Sequence, residues 1–290
     1  MKKHYYREEN RGNLLTFFDV CAKITSGARA RLLLNRRNSM QLVLLTALGV
    51  GGATAIGALL GFLIKKPSHK MNDLILSFAA GVMLAAAVMG LILPAVEYGG
   101  KWGLPITVVG IFVGAFCLNL IDKLTPHLHR LAGVEQEEHP EKAKSLNKVL
   151  LFVIAIGIHN LPEGLAAGVS FGTENVGQAM AVAVGIALQN IPEGMIIIAP
   201  LLSAGMSRGR TLAIAMLTGL IEVIGTLIGY FAVSISTAVL PFFLAFAGGI
   251  MLYIISDEML LETHHDNERG ATYALLIGFC LMLAVDVLLG

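Results

Sequence analysis

Apolar residues dominate eight stretches of this chain, roughly 41–64, 74–96, 103–121, 149–171, 178–203, 211–234, 238–256 and 271–289. A helix needs about 20 such residues to cross the hydrocarbon core of a bilayer. All 21 Lys and Arg residues fall outside these stretches. The two-residue alternation of a membrane β-barrel is absent, so the pattern predicts an all-α, polytopic membrane bundle of eight transmembrane helices.

Composition agrees. Of 290 residues, 56% are hydrophobic and 14% charged, with a mean hydropathy of +0.74. Soluble domains carry about 25% charged residues. A net charge of +1 excludes a general electrostatic attraction to nucleic acid. The three cysteines, Cys21, Cys117 and Cys280, are odd in number and far apart. They read as small buried apolar residues, not as a disulfide frame or thiolate site.

Loop charge sets an orientation. Lys65, Lys66 and Lys70 lie between spans one and two. Lys123, Arg130, Lys142, Lys144 and Lys148 lie between three and four, Arg208 and Arg210 between five and six, and Arg269 between seven and eight. The alternate loops hold only Lys101. The positive-inside rule places the richer set in the cytoplasm and both termini outside. Residues 1–40, a basic N-terminal tail, oppose this, and 13–28 reads either as an interfacial amphipathic helix or as a poor additional crossing. No cleavable signal peptide is legible. The membrane unit is 41–290. It includes a cytoplasmic loop at 122–148 whose His127, His129 and His139 suit either plain solvation or weak metal holding.

Polar chemistry interrupts two adjacent spans. His159-Asn160-Leu161-Pro162-Glu163-Gly164 is nearly repeated thirty positions on as Gln189-Asn190-Ile191-Pro192-Glu193-Gly194. Glu222 lies in the next span. Acidic groups at a helix centre cost about 2.5–3.5 kcal/mol each, so the three carboxylates together require roughly 8–10 kcal/mol of compensation. No Lys or Arg lies at that depth, so the compensating charge is a proton, a bound cation, or each in turn.

His159 and Glu163 are four residues apart and share a helix face, as do Gln189 and Glu193. A short connection containing Gly172 and Gly177 makes the two spans an antiparallel hairpin, so the motifs meet near the midplane. Pro162 and Pro192 remove amide hydrogens and crowd the carbonyls of Ile158 and Leu188. Paired interrupted helices of this kind point to a transport site. Carboxylates, one imidazole and amide oxygens suit zinc, iron or manganese better than calcium or magnesium. Gly57 with Gly61, Gly110 with Gly114, and Gly225 with Gly229 predict close helix packing, with some faces available to a dimer. Met83 on its own reads as core, and Asp257, Glu258 and Asp286 as interfacial.

The paired motifs, with Leu217-Thr218-Gly219-Leu220-Ile221-Glu222, resemble the ZIP (Zrt-, Irt-like protein) metal transporters, most closely their prokaryotic GufA-type branch. The likeness covers about residues 40–290. It implies a 3+2+3 helix arrangement, a homodimer in the bacterial inner membrane, and elevator-like movement of metal toward the cytoplasm. It also implies a binuclear site, with Met83, His159, Glu163, Gln189 and Glu193 around one ion. Asn160, Glu163, Asn190, Glu193 and Glu222 would surround the second, and Asp257 and Glu258 would lie near the exit route. Many eukaryotic members carry histidine where this chain has Gln189, so one nitrogen ligand is missing here. Asn190 makes the second subsite less negative, and its ion optional.

The expected function is thus transport of zinc, or of cadmium, iron or manganese, as substrate across the bilayer. No prosthetic group is expected. Export is the alternative direction. An intramembrane metal-dependent hydrolase fits less well, because the chain has a single membrane-embedded histidine and no HExxH. A metal-gated sensor without flux is the third reading.

Overall fold

A computed structural model describes residues 40–64, 68–124, 142–173, 175–263 and 268–290. Among the described residues there are eight long helices and no strand. They are α1 (Met40–Gly61), α2 (His69–Tyr98), α3 (Gly103–Leu124), α4 (Lys142–Ser170), α5 (Val176–Ser203), α6 (Arg208–Ile235), α7 (Thr237–Thr263) and α8 (Glu268–Leu289). Short polar side chains start several of them. Ser68, Asn175 and Ser207 each accept a bond from the backbone N–H three residues on, satisfying a donor that the first turn leaves free.

Seven of them, α1 to α3 and α5 to α8, are long and apolar enough by composition to cross a membrane. Helix α4 has 29 residues, about 43 Å at 1.5 Å per residue, against a bilayer core of about 30 Å. α2 and α7 are the most enclosed, and α3 and α8 lie at the periphery with Phe112, Phe116, Tyr273 and Ile277 exposed. Apolar faces of that extent need lipid, and the chain is an integral membrane protein.

Each glycine pair singled out by its spacing lies at a helix contact. A Cβ on Gly57 would come 2.1 Å from the carbonyl oxygen of Ile191, and one on Gly61 2.7 Å from that of Met195, both on α5. Gly110 and Gly114 meet Ala245 and Phe246 of α7. Gly225 and Gly229 meet Leu161 and Leu165 of α4, and in return Gly164 and Gly168 meet Glu222 and Thr226. Without side chains between them, the backbones approach within dispersion range. These backbone contacts fall into two sets. One joins α1, α4, α5 and α6; the other joins α2 to α8 and α3 to α7. Between the sets, Gly90 and Gly185 meet side chains (Val182 and Met282), and Gly177 meets the Leu289 carbonyl at the helix ends.

Three expectations change. The helical assignment runs unbroken through Pro162 and Pro192, so α4 and α5 are not interrupted helices. Packing from neighbouring helices holds the axis, although the proline chemistry still removes an amide donor from each. The irregular backbone is elsewhere, in π-helical segments at Ala86–Ile92 of α2 and Ile255–Met259 of α7. The loop drawn at 122–148 is shorter at both ends, because α3 continues to Leu124 and α4 begins at Lys142. Lys, Ala and Leu are good helix formers whether or not they lie in hydrocarbon. Cys117 is only half-buried and Cys280 is exposed. Both sit on peripheral helices, where an apolar thiol can face lipid. Residues 1–39 and the loop histidines lie outside the described residues.

Candidate metal centre

The two motif copies close on each other across the α4–α5 hairpin. Gln189 Nε2 donates to Glu163 Oε1 at 2.7 Å. The same Glu163 oxygen lies 3.7 Å from His159 Nε2, one helical turn earlier on α4. His159, Glu163 and Glu193 each present a ligand atom within 4.8 Å of the other two. A tetrahedral zinc with bonds near 2.1 Å needs its ligand atoms about 3.4 Å apart. The group is therefore open by little more than an ångström.

The surrounding oxygens fit a cation. Glu163 Oε2, Gln189 Oε1, Asn190 Oδ1 and Glu193 Oε1 are buried and have no hydrogen-bond partner among the described residues. A buried polar atom left unpaired costs about 1–3 kcal/mol, and more when charged. All four are acceptors and all four come from the twin motifs, so the buried polar groups here favour positive charge. Pro162 and Pro192 leave the carbonyls of Ile158 and Leu188 without the usual i+4 amide.

Glu222 of α6 has a different environment. It is wholly buried, and three donors reach it. Thr54 Oγ1 of α1 donates to its Oε1 at 2.6 Å, Asn160 Nδ2 donates to the same oxygen, and Asn190 Nδ2 donates to Oε2. Asn160, Asn190 and Glu222 thus form a second polar group beside the first, linked through the motif backbones. Met83 is also wholly buried. It belongs to the main apolar cluster, against which Ile158, next to His159, packs.

Two residues join the site that the sequence did not place there. Glu258 Oε2 lies 3.3 Å from His159 Nδ1, so the imidazole stands between Glu163 and Glu258. Glu258 sits in the π-helical segment of α7. A π-turn inserts one residue into the helix and re-aims those after it. The acidic pair Asp257-Glu258 was visible, but nothing in its pattern announces the insertion. Thr54 is the other. A lone threonine in an apolar span carries no signal until its partner, 168 positions away, is known.

Exposure is graded across the site. Glu163, Gln189 and Glu222 are closed off, whereas the side chains of His159 and Glu258 are 18% and 33% exposed. The exposed edge of the site is therefore at His159 and Glu258, the latter near the C-terminal end of α7.

Comparison with known proteins matches the sequence that builds this site to one family. The family model described as ZIP Zinc transporter matches residues 126–286, which include both motifs, Glu222 and Glu258. The chain belongs to the ZIP family. It is 39% identical over 254 residues to the zinc transporter GufA of Myxococcus xanthus, covering 85% of this chain and 98% of that protein. It is 41% identical to the zinc transporter ZupT of Chlorobaculum parvum over 252 residues, 82% of this chain and 94% of that one. The zinc transporter ZIP11 of Homo sapiens is 30% identical over 324 aligned positions, 82% of this chain and 94% of that protein. As a ZIP member the chain is a transporter, not an enzyme.

Proposed function

We propose that this ZIP protein carries zinc, and less selectively cadmium, iron or manganese, across the membrane toward the cytoplasm. His159, Glu163, Gln189 and Glu193 hold the ion, with the Met83 thioether completing that subsite. Asn160, Asn190 and Glu222 border the place of an optional second ion, which would share Glu163 and Glu193. The observation that carries this reading is the meeting of His159, Glu163 and Glu193 within 4.8 Å, with unpartnered buried oxygens on both carboxylates.

Direction and movement have their own support. The exposed members, His159 and Glu258, lie toward the α7–α8 connection, on the side that the loop charges of Lys65, Lys66, Arg208 and Arg269 assign to the cytoplasm. The division of backbone contacts into α1, α4, α5, α6 and α2, α3, α7, α8 suits an elevator in which the first set carries the site past the second. The exposed apolar faces of the peripheral helices suit a homodimer in lipid.

Proteoliposomes test the proposal. Protein of known sidedness should give saturable zinc flux, and Glu163→Ala should abolish it. Flux in Glu163→Ala equal to that of the unmodified protein would remove the site assignment.

A further inference from the structure

Helix α1 contributes no metal-ligating side chain, yet two of its groups control the polar residues beside the ion. The Thr54 side chain is buried and has one proton to give, which goes to Glu222 Oε1 at 2.6 Å. One turn earlier, the Val50 carbonyl accepts from Asn190 Nδ2 at 3.2 Å, and the same nitrogen donates to Glu222 Oε2. A carbonyl cannot donate, so the Val50 oxygen fixes which end of the Asn190 amide is nitrogen. Asn190 Oδ1 is thereby turned away from both acceptors and left buried without a partner among the described residues. Glu222, in contrast, takes three donated bonds and has both oxygens engaged.

That difference has a chemical consequence. A carboxylate that already accepts three donated bonds on its roughly four lone-pair sites is a poorer ligand, since an arriving cation competes with those donors for its charge. Beside it, Glu163 Oε2 and Glu193 Oε1 are free to ligate at once. The closeness of α1 is built into the backbone. Gly51 and Gly219 approach until a Cβ on either would come within 2.3 Å of the other's carbonyl oxygen, and Gly194 meets the Thr54 carbonyl in the same way. Thr54 is therefore held against Glu222 by the packing of α1 on α5 and α6.

We infer that Thr54 is a positioning residue that sets how many cations the site holds, by keeping Glu222 occupied with hydrogen bonds so that a single ion binds at His159, Glu163 and Glu193. Losing the hydroxyl frees a further acceptor position, on Glu222 Oε1. With the unpartnered Asn190 Oδ1 and Glu193 Oε1, that position completes a second subsite. This inference rests on the transport reading above, but binding stoichiometry examines it separately from flux.

Equilibrium zinc binding to the purified full-length protein in detergent is the test, with Thr54→Val, Thr54→Ser and the double variant Thr54→Val/Glu222→Gln. Valine keeps the shape of threonine without the proton, and serine keeps the proton. The unmodified protein and Thr54→Ser should bind one zinc per chain. Thr54→Val should bind twice as many, and the added Glu222→Gln should return it to one. Size-exclusion profiles like the unmodified protein's separate this from misfolding. Two zinc ions on the unmodified protein, one on Thr54→Val, an equal change in Thr54→Ser, or a second ion that survives Glu222→Gln would each overturn the inference. If zinc binds as expected but no saturable flux accompanies it, the transport reading fails while the role of Thr54 stands.

Discussion

Gln189 and Glu163 are joined by a 2.7 Å hydrogen bond, in which an amide of the second motif closes onto the carboxylate of the first. The bond uses the Gln189 nitrogen and leaves its Oε1 buried and unpartnered. The two copies are therefore complementary and not equivalent: His159 supplies a nitrogen on α4 where Gln189 supplies only an amide oxygen on α5. A second imidazole would favour zinc over manganese, because nitrogen ligands suit the softer ion. Gln189→His should lower the KM for zinc relative to that for manganese by roughly tenfold, about 1.4 kcal/mol. Competitive flux in proteoliposomes measures the ratio, and an unchanged ratio would show that Gln189 does not set preference.

Removing the amide without a replacement gives a second outcome. Gln189→Leu takes the donated bond from a buried carboxylate, and hydrogen bonds to charged groups contribute about 1.5–3 kcal/mol. Zinc affinity should change by at least tenfold while the protein remains folded. Isothermal titration in detergent reads this directly. An affinity within twofold of the unmodified protein would contradict it.

The His159–Glu258 contact predicts a different effect. A carboxylate on the far nitrogen of a metal-binding histidine fixes the ring's tautomer and orientation, and losing it typically costs 10–100-fold in metal affinity. Glu258→Gln keeps the size and removes the charge, so the zinc KM should rise by about that factor. Maximum flux should fall less. A fall in maximum flux at constant KM would instead make Glu258 part of a later step of transport.

These pairs also show what the sequence could and could not specify. The spans were legible because hydrocarbon demands long apolar runs and excludes Lys and Arg. The core of the site was legible because His159, Glu163, Glu193 and Glu222 are too costly in lipid to be ornamental. Helix spacing then placed His159 over Glu163 without any tertiary information. Glu258 was visible as an acidic residue, but its reach to His159 depends on the π-helical turn of α7, and Ala and Ile around such turns look like ordinary helix. Thr54 was silent, since a threonine costs little in a membrane and its value comes from a partner on α6. The prolines misled in the other direction. Their chemistry removes one bond each, but packing kept both helices continuous.

Packing around the site makes a prediction about rigidity. A Cβ on Gly164 would lie 2.3 Å from the carbonyl oxygen of Glu222, so the smallest possible side chain pushes α6 away from α4. Overpacking typically costs about 1–3 kcal/mol. Gly164→Ala should lower the melting temperature in detergent and reduce flux by more than tenfold, because the displaced backbone is the one that carries Glu222. Gly49→Ala, with nothing within 4 Å of its new methyl group, should change neither. Equal melting and flux for both variants would mean that the bundle absorbs the shift.

Proton competition gives the last prediction, and its sign follows from the ligand set. Metal binds the deprotonated carboxylates of Glu163 and Glu193 and the neutral imidazole of His159, so each ion that enters displaces whatever protons those groups hold. Acidification raises proton occupancy and must therefore weaken zinc binding; alkalinisation must strengthen it until all three groups are free. The zinc KM should rise steadily as the medium goes from neutral to mildly acidic, while maximum flux changes less. Glu163→Gln and Glu193→Gln each remove one competing group, so in binding assays the pH dependence should become shallower along with the loss of affinity. A slope as steep in both variants as in the unmodified protein would place the competing protons on other groups.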